Sequence, residues 1–307
     1  MAAGNLWVNL GLRSAAFDRG LNKSRKNIRG FGSQVKSLNM TLKTMAGALG
    51  AGLGFAALSR GLSSSVRQFA TFQKGMAQVS TMLTEQTMTL MPQYMKQIRE
   101  LSVEMGESTD TLSRGLFDIL SASVAPVKAM KVLRVATIAA KAGITDTAMS
   151  ADAITTILNS YGMAAESATE ISDKMFATIK RGKLTFADYA PNIGKVASLA
   201  ATARVAFEDL NASIATLTRA GVQTEIAMTG IRSVINALID PSDDAKAAAM
   251  KFGLILDENT LRSVGLVGVM DKLRKASIKQ LAVIVPSIRG MASLAAGYSK
   301  PTGHCLI

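Results

Sequence analysis

Four glycines set the rhythm of this chain. Gly106, Gly143, Gly182 and Gly221 follow one another at intervals of 37 to 39 residues. Each opens a short phrase: Gly106-Glu-Ser-Thr, Gly143-Ile-Thr, Gly182-Lys-Leu-Thr and Gly221-Val-Gln-Thr. Such a phrase reads as a helix stop followed by a helix start. Glycine enters the left-handed conformation at the end of a helix without penalty, and a Thr or Ser hydroxyl then accepts from the orphan amides of the next helix. A second set of breaks falls between these marks, at Ala125-Pro126, Tyr161-Gly162, Ala203-Arg204 and Asp240-Pro241. From Gly106 to Pro241 the sequence therefore predicts helix, short turn, helix, repeated.

The segments between breaks carry apolar residues at helical spacing. Ile154, Ile157, Leu158 and Tyr161 form one stripe, and Ile231, Val234, Ile235 and Leu238 another. Phe207, Leu210, Ile214 and Leu217 repeat the pattern, as do Ala168, Ile171, Met175 and Ile179. The segment 126–142 is apolar nearly all round, which predicts a central helix. With only 5% aromatic residues and six prolines, the fold class is all-α. Stacked helix hairpins, solenoid-like or closed into a multi-helix bundle, are the two architectures this pattern allows. A basic, extended N-terminal helical region precedes them.

Charge is distributed unevenly. Residues 1–75 hold eleven Lys/Arg and one acid, Asp18, so +10 of the net +13 lies there. From Ser14 to Thr44 an amphipathic helix is expected, its apolar stripe (Phe17, Leu21, Ile28, Phe31) flanked by cations. Arg13, Lys23, Arg25, Lys26, Arg29, Lys36 and Lys43 are the candidate contacts to a polyanion: nucleic acid, an anionic lipid surface or an acidic protein lumen. The plainer alternatives are a solvated basic helix, or one strand of a coiled coil. Aromatic residues are too sparse here for sequence-specific nucleic-acid reading.

Residues 45–58 form the longest uncharged run, bounded by Lys43 and Arg60 and spanning 16 residues with Thr44 and Ser59. That is short of the roughly 20 needed to cross a bilayer. Met45, Gly47, Gly50, Gly52, Gly54, Phe55 and Leu58 are the candidate membrane-inserting or self-association segment, since small residues at this spacing allow helices to approach closely. A flexible glycine-rich joint is the alternative. No phosphate loop is present.

Catalytic chemistry has little to work with. The only His and only Cys are His304 and Cys305, which excludes an internal disulfide and ordinary Ser-His or Cys-His catalysis within the fold. No spaced carboxylate pair has a supporting polar pocket. Catalytic, cofactor-binding and metal residues are each expected to be none, and the chain is not expected to be an enzyme. Asp243 and Asp244 are expected to stabilise a helix start after Ser242 rather than to hold a metal.

Several phrases carry a likeness to a known family. Phe72-Gln-Lys-Gly-Met-Ala-Gln-Val-Ser-Thr, Leu116-Phe-Asp-Ile-Leu-Ser-Ala and Ala140-Lys-Ala-Gly-Ile-Thr-Asp-Thr come first, followed by Asp152-Ala-Ile-Thr-Thr-Ile-Leu-Asn-Ser-Tyr-Gly and Gly194-Lys-Val-Ala. In this order they resemble the core region of the tail tape measure proteins of long-tailed bacteriophages, over roughly residues 68–242. The resemblance implies a structural virion protein, present in several copies in the tail tube lumen, that sets tail length during assembly. It implies as partners further copies of the chain, the tube protein, tail assembly chaperones and tail-tip or baseplate proteins, met first in the host cytoplasm. It also implies departure before the DNA, with a part in genome ejection across the host membrane. It brings no catalytic residues.

Three departures accompany the likeness. Arg204-Val205-Ala206 stands where the family favours Gly-Val-Ser, so a looser turn or a longer helix is expected there. Even as one continuous helix the chain would reach only about 460 Å at 1.5 Å per residue, short for a ruler. Its last residues form no finishing element, which suggests a truncated or prophage-encoded member. The expected division is a basic N-terminal region at 1–65, a core helical domain at 66–242 and a helical C-terminal segment at 243–307. A membrane-active or pore-forming helical protein and an α-solenoid adaptor are the alternative functions.

Overall fold

The structure is a computed structural model that describes residues 52–287 apart from Arg274; side chains are described from residue 67 onward, except that of Glu258. Among the described residues regular structure is helical throughout, with no strand. The chain divides into two compact units, Met1–Leu120 and Ser121–Ile307.

In the first unit, α1 (Gly52–Thr81) buries Phe72, Met76 and Val79. A 3-10 turn, Thr87–Leu90, leads into α2 (Met91–Met105), with Pro92 in its first turn, where a missing N–H costs nothing. Gly106 ends α2 in the left-handed region at φ 62°, and Ser108 caps α3 (Thr109–Ser121) by accepting from the Thr111 amide at 3.0 Å. Leu112, Leu116 and Ile119 are the buried face of α3. A Cβ on Gly75 would stand 2.8 Å from that of Ser113, so glycine is what lets α1 and α3 approach so closely.

The second unit opens with three hairpins: α4 (Pro126–Gly143) with α5 (Thr147–Ser160), α6 (Ala168–Arg181) with α7 (Phe186–Thr202), and α8 (Phe207–Arg219) with α9 (Thr224–Ile239). Each helix packs on the helix two places along the chain. Thus α5, α7 and α9 make one layer, α4, α6 and α8 the other. The predicted stripes point into the seam. Ile154, Ile157, Ile193, Val196, Ile214, Ile231 and Ile235 are all fully buried there, each contributing about 1.5–3 kcal/mol relative to exposure. No substantial contact joins α4 to α9, so the hairpins form an open stack and not a closed bundle. The central position predicted for α4 does not hold. It buries Val132, Leu133, Ala136 and Ala139, but Val127 is 71% and Ile138 46% exposed, because α4 packs on α5 and α6 and leaves its remaining surface outside.

The junctions follow a single device built from different residues. At the ends of α4, α5, α7 and α8 a left-handed residue (Ile144, Gly162, Arg204, Gly221) is followed by one whose amide reaches back five residues. The closing bonds are Thr145 to the Ala140 carbonyl at 2.9 Å, Met163 to Leu158 at 2.8 Å, Val205 to Ala200 at 2.9 Å and Val222 to Leu217 at 3.1 Å. Two of the four rhythm-setting glycines are therefore not left-handed. Gly143 is the last residue of α4, and Ile144 takes the left-handed position at φ 51°. Gly182 is extended, at φ −91°. Both serve close contact instead. A Cβ on Gly143 would lie 2.6 Å from that of Phe186, and one on Gly182 would lie 2.6 Å from the Thr218 hydroxyl.

The predicted caps also divide. Thr185 heads a full capping box with Asp188. After Gly143, however, Asp146 caps α5, not Thr145, and α9 starts at Gln223 with no side-chain cap. At residues 204–206 the turn is neither looser nor absorbed into a helix. Arg204 holds the left-handed position at φ 58°, buried Val205 closes the turn, and only the cap is lost, Ala206 having no side-chain acceptor.

Beyond the stack, Ser242 caps α10 (Asp243–Met250), which packs against α12 (Ile278–Ile284), while α11 (Glu258–Leu273) extends the α4–α6–α8 layer. Within the expected helical C-terminal segment, α11 is broken at Gly265, whose φ of 71° and ψ of 163° lie outside any helix. That backbone conformation is open to glycine and strained for any other residue, and the Asp209 carboxylate also stands 2.6 Å from where a Gly265 Cβ would be.

Candidate functional site

Of the residues singled out from the sequence, Arg13, Lys23, Arg25, Lys26, Arg29, Lys36, Lys43, Met45, Gly47 and Gly50 lie outside the described residues, as do His304 and Cys305. Gly52, Gly54, Phe55 and Leu58 fall in the first turns of α1, where only the backbone is described. No described helix is long and apolar enough to cross a membrane. Among the described residues no three His, Cys, Asp or Glu side chains converge as a metal site.

What the fold does assemble is a polar seam inside the stack. Tyr189 of α7 is completely buried and donates its hydroxyl to the Asn211 side-chain carbonyl of α8 at 2.6 Å. The Tyr161 ring at the end of α5 meets Phe207 edge-on, with centroids 5.5 Å apart. The Tyr161 hydroxyl and the Asn211 amide nitrogen are buried without a protein partner. Burial pushes both phenols well above their ordinary value, with the Glu208 charge adding to the effect at Tyr161. They stay neutral donors. Three helices are thus joined through groups that stay protonated near neutral pH.

Ion pairs follow the same stacking rule. Lys128 of α4 reaches Glu166, just before α6, at 2.5 Å. Lys174 of α6 bridges Glu208 at the start of α8 and Glu170 of its own helix, and Lys195 of α7 reaches Glu225 of α9 at 3.0 Å. Each inter-hairpin pair joins a helix to the next one in its layer. The hydrogen bonds that Lys174 donates to Glu170 and Glu208 raise its ammonium, and the one Glu208 accepts lowers Glu208. Each pair is worth at most about 1 kcal/mol at this exposure. Sequence reading missed the seam and the pairs, since Tyr189–Asn211 and Lys174–Glu208 are separated by whole helices. The one available signal was an Asn inside an apolar stripe, at Asn211.

A groove of about 520 Å³ lies between α9, α10 and α12, lined by Ser233, Asn236, Asp240, Ser242, Val283 and Ser287 among others. It is open and holds no convergent charge.

Comparison with protein families gives a match over residues 95–285, from within α2 to just past α12, to a family described as phage-related minor tail protein. Neither curated proteins nor solved structures give a match.

Proposed function

From the premise that this chain belongs to the phage-related minor tail protein family, and so has a structural role in a phage tail, we propose that it is the tail's tape measure protein. In this reading several copies lie in the tail tube lumen and set the length to which tube subunits polymerise. The observation that carries it is the ordered series of tape-measure-like phrases. Leu116–Ala122, Ala140–Thr147, Asp152–Gly162 and Gly194–Ala197 all fall inside the family-matched residues, and the last three lie in the stack.

The partners on this reading are further copies of the chain, the tube protein, tail assembly chaperones and tail-tip or baseplate proteins. The role is non-enzymatic, and the buried polar groups hold helices together rather than turn over a substrate. The basic N-terminal quarter suits an acidic lumen, and residues 45–58 suit passage into the host membrane during genome ejection.

Disrupting the gene and imaging the resulting particles tests the reading. Loss of tails, or tubes of unregulated length, is the expected outcome. Tubes with an unchanged length distribution would remove the tape measure role and leave a different tail component. Counting the chain in purified tails by mass spectrometry tests the lumen assignment, for which a few copies per tail are expected.

A further inference from the structure

The two edges of the stack differ in charge. Helices α4, α6 and α8 end at one edge, and each has a cation in its last turn: Lys141 in α4, Lys180 and Arg181 in α6, Arg219 in α8. Helices α5, α7 and α9 end at the opposite edge with none, and the turns that follow them carry only Arg204. A cation near a helix C-terminus complements the macrodipole. That rule applies to every helix of the stack alike, so it does not explain why one edge alone follows it.

At the basic edge four cations converge. The turn between α6 and α7 lies against α8: the Lys183 amide donates to the Thr218 hydroxyl at 3.4 Å, and a Gly182 Cβ would stand 2.6 Å from the same oxygen. Lys180, Arg181 and Lys183 lie within two residues of Gly182 on one side of this contact, and Arg219 follows Thr218 on the other. All four are exposed. Among the described residues no carboxylate pairs with any of them. No Asp or Glu occurs in residues 174–187 or 210–224. The carboxylates at this edge are engaged elsewhere: Asp146 and Asp188 cap α5 and α7, and Glu225 binds Lys195 at 3.0 Å. The charge of the four is therefore directed outward.

We propose that Lys180, Arg181, Lys183 and Arg219 form a docking site for an acidic segment of another protein. The two guanidinium groups can each take a carboxylate through paired hydrogen bonds, and the two ammonium groups add point charge. Asp188 and Glu225 border the patch, which favours a few discrete carboxylates over a nucleic-acid duplex, whose charge continues past it at one per about 1.7 Å. No exposed aromatic residue stands beside the four for bases to stack on. That the segment belongs to a neighbouring tail protein rests on the reading above.

Fluorescence anisotropy of a labelled decaglutamate peptide, titrated with the full chain, tests the site. Lys180→Gln/Arg181→Gln/Lys183→Gln/Arg219→Gln is compared with Lys74→Gln/Arg232→Gln/Lys251→Gln/Lys279→Gln, which removes the same charge from exposed positions elsewhere. The first is expected to weaken binding at least about fivefold and the second less than about twofold. A first variant that weakens binding no more than the second would overturn the site, since the peptide would then be sensing net charge. So would a parent chain that leaves the peptide free, or a short DNA duplex that loses more affinity than the peptide in the first variant. In purified tails, carbodiimide coupling is expected to join Lys180 or Lys183 to an Asp or Glu of a different protein. Links from these lysines only to copies of this chain would overturn the assigned partner. A chain absent from tails would instead remove the reading on which that partner rests.

Discussion

The junction after α4 and the junction after α8 begin alike in sequence, Gly143-Ile-Thr and Gly221-Val-Gln-Thr, and both end a helix with a left-handed residue and the same five-residue return bond. They reach it by opposite routes. After α8, Gly221 itself supplies the left-handed conformation at φ 101° and has nothing within 4 Å of where a Cβ would be. After α4, Gly143 supplies room for Phe186, whose ring stacks on Phe176 at 5.1 Å, and passes the conformational strain to Ile144. The starts of the following helices differ as well: Asp146 accepts from two amides of α5, at 2.6 and 3.2 Å, and Gln223 accepts none from α9. The lesson is that one residue type at one place in a repeat can answer two separate demands, backbone freedom and side-chain absence.

Substitution separates the two demands most sharply at the glycines. Gly143→Ala forces a methyl group into the Phe186 contact and is expected to cost about 2–3 kcal/mol, read as a lower midpoint in urea unfolding. Gly221→Ala meets only backbone strain, with an expected loss of about 1 kcal/mol. Equal losses, or a reversed order, would break the distinction. The caps give the next effect in size. Asp146→Ala should cost about 1 kcal/mol, whereas Gln223→Asp should add up to about 1 kcal/mol by supplying the acceptor that α9 lacks. A Gln223→Asp variant no more stable than the parent would mean that the amides of α9 already have adequate partners.

The smallest effects belong to the ion pairs between hairpins. Lys174→Gln should cost no more than about 1 kcal/mol, since the pairs are partly solvated. Acid provides the companion measurement. Hydrogen bonding to Lys174 lowers Glu208, and bonds from Thr185 lower Asp188. Their contributions are therefore present above the ordinary carboxylate range and are lost as pH falls through the lowered folded values, below about 4. Thermal unfolding followed from pH 6 to pH 3 should show Tm falling in that window, less steeply in Lys174→Gln. An identical slope in the two proteins would assign the acid sensitivity elsewhere.

Much of the fold was legible because its rules are local. Pro126 at a helix start, Gly106 and Gly162 in left-handed turns, Thr185 with Asp188, and the buried stripes of α5, α8 and α9 all act within one or two helical turns. The break at Gly265 was not legible, because a glycine within a helical pattern can either stay in the helix or leave it, and its φ of 71° and ψ of 163° appear only in the fold. The same holds for the candidate site. Of Tyr189–Asn211 the sequence offered only an Asn inside an apolar stripe, because its partner lies 22 residues away on another helix.

The sequence by itself determined that this chain is helical, where most helices begin and end, which face of each is apolar, and, through its ordered phrases, the kind of phage protein it resembles. Only the tertiary structure decided that the hairpins stack in two open layers, that Gly143 and Gly182 are spacers, and that exposed cations converge where the α6–α7 turn meets α8. The physical reason is range. Helix propensity, capping and amphipathic spacing are set by residues within four or five positions, whereas a clash with Phe186 or an ion pair with Glu208 exists only after distant segments have been brought together.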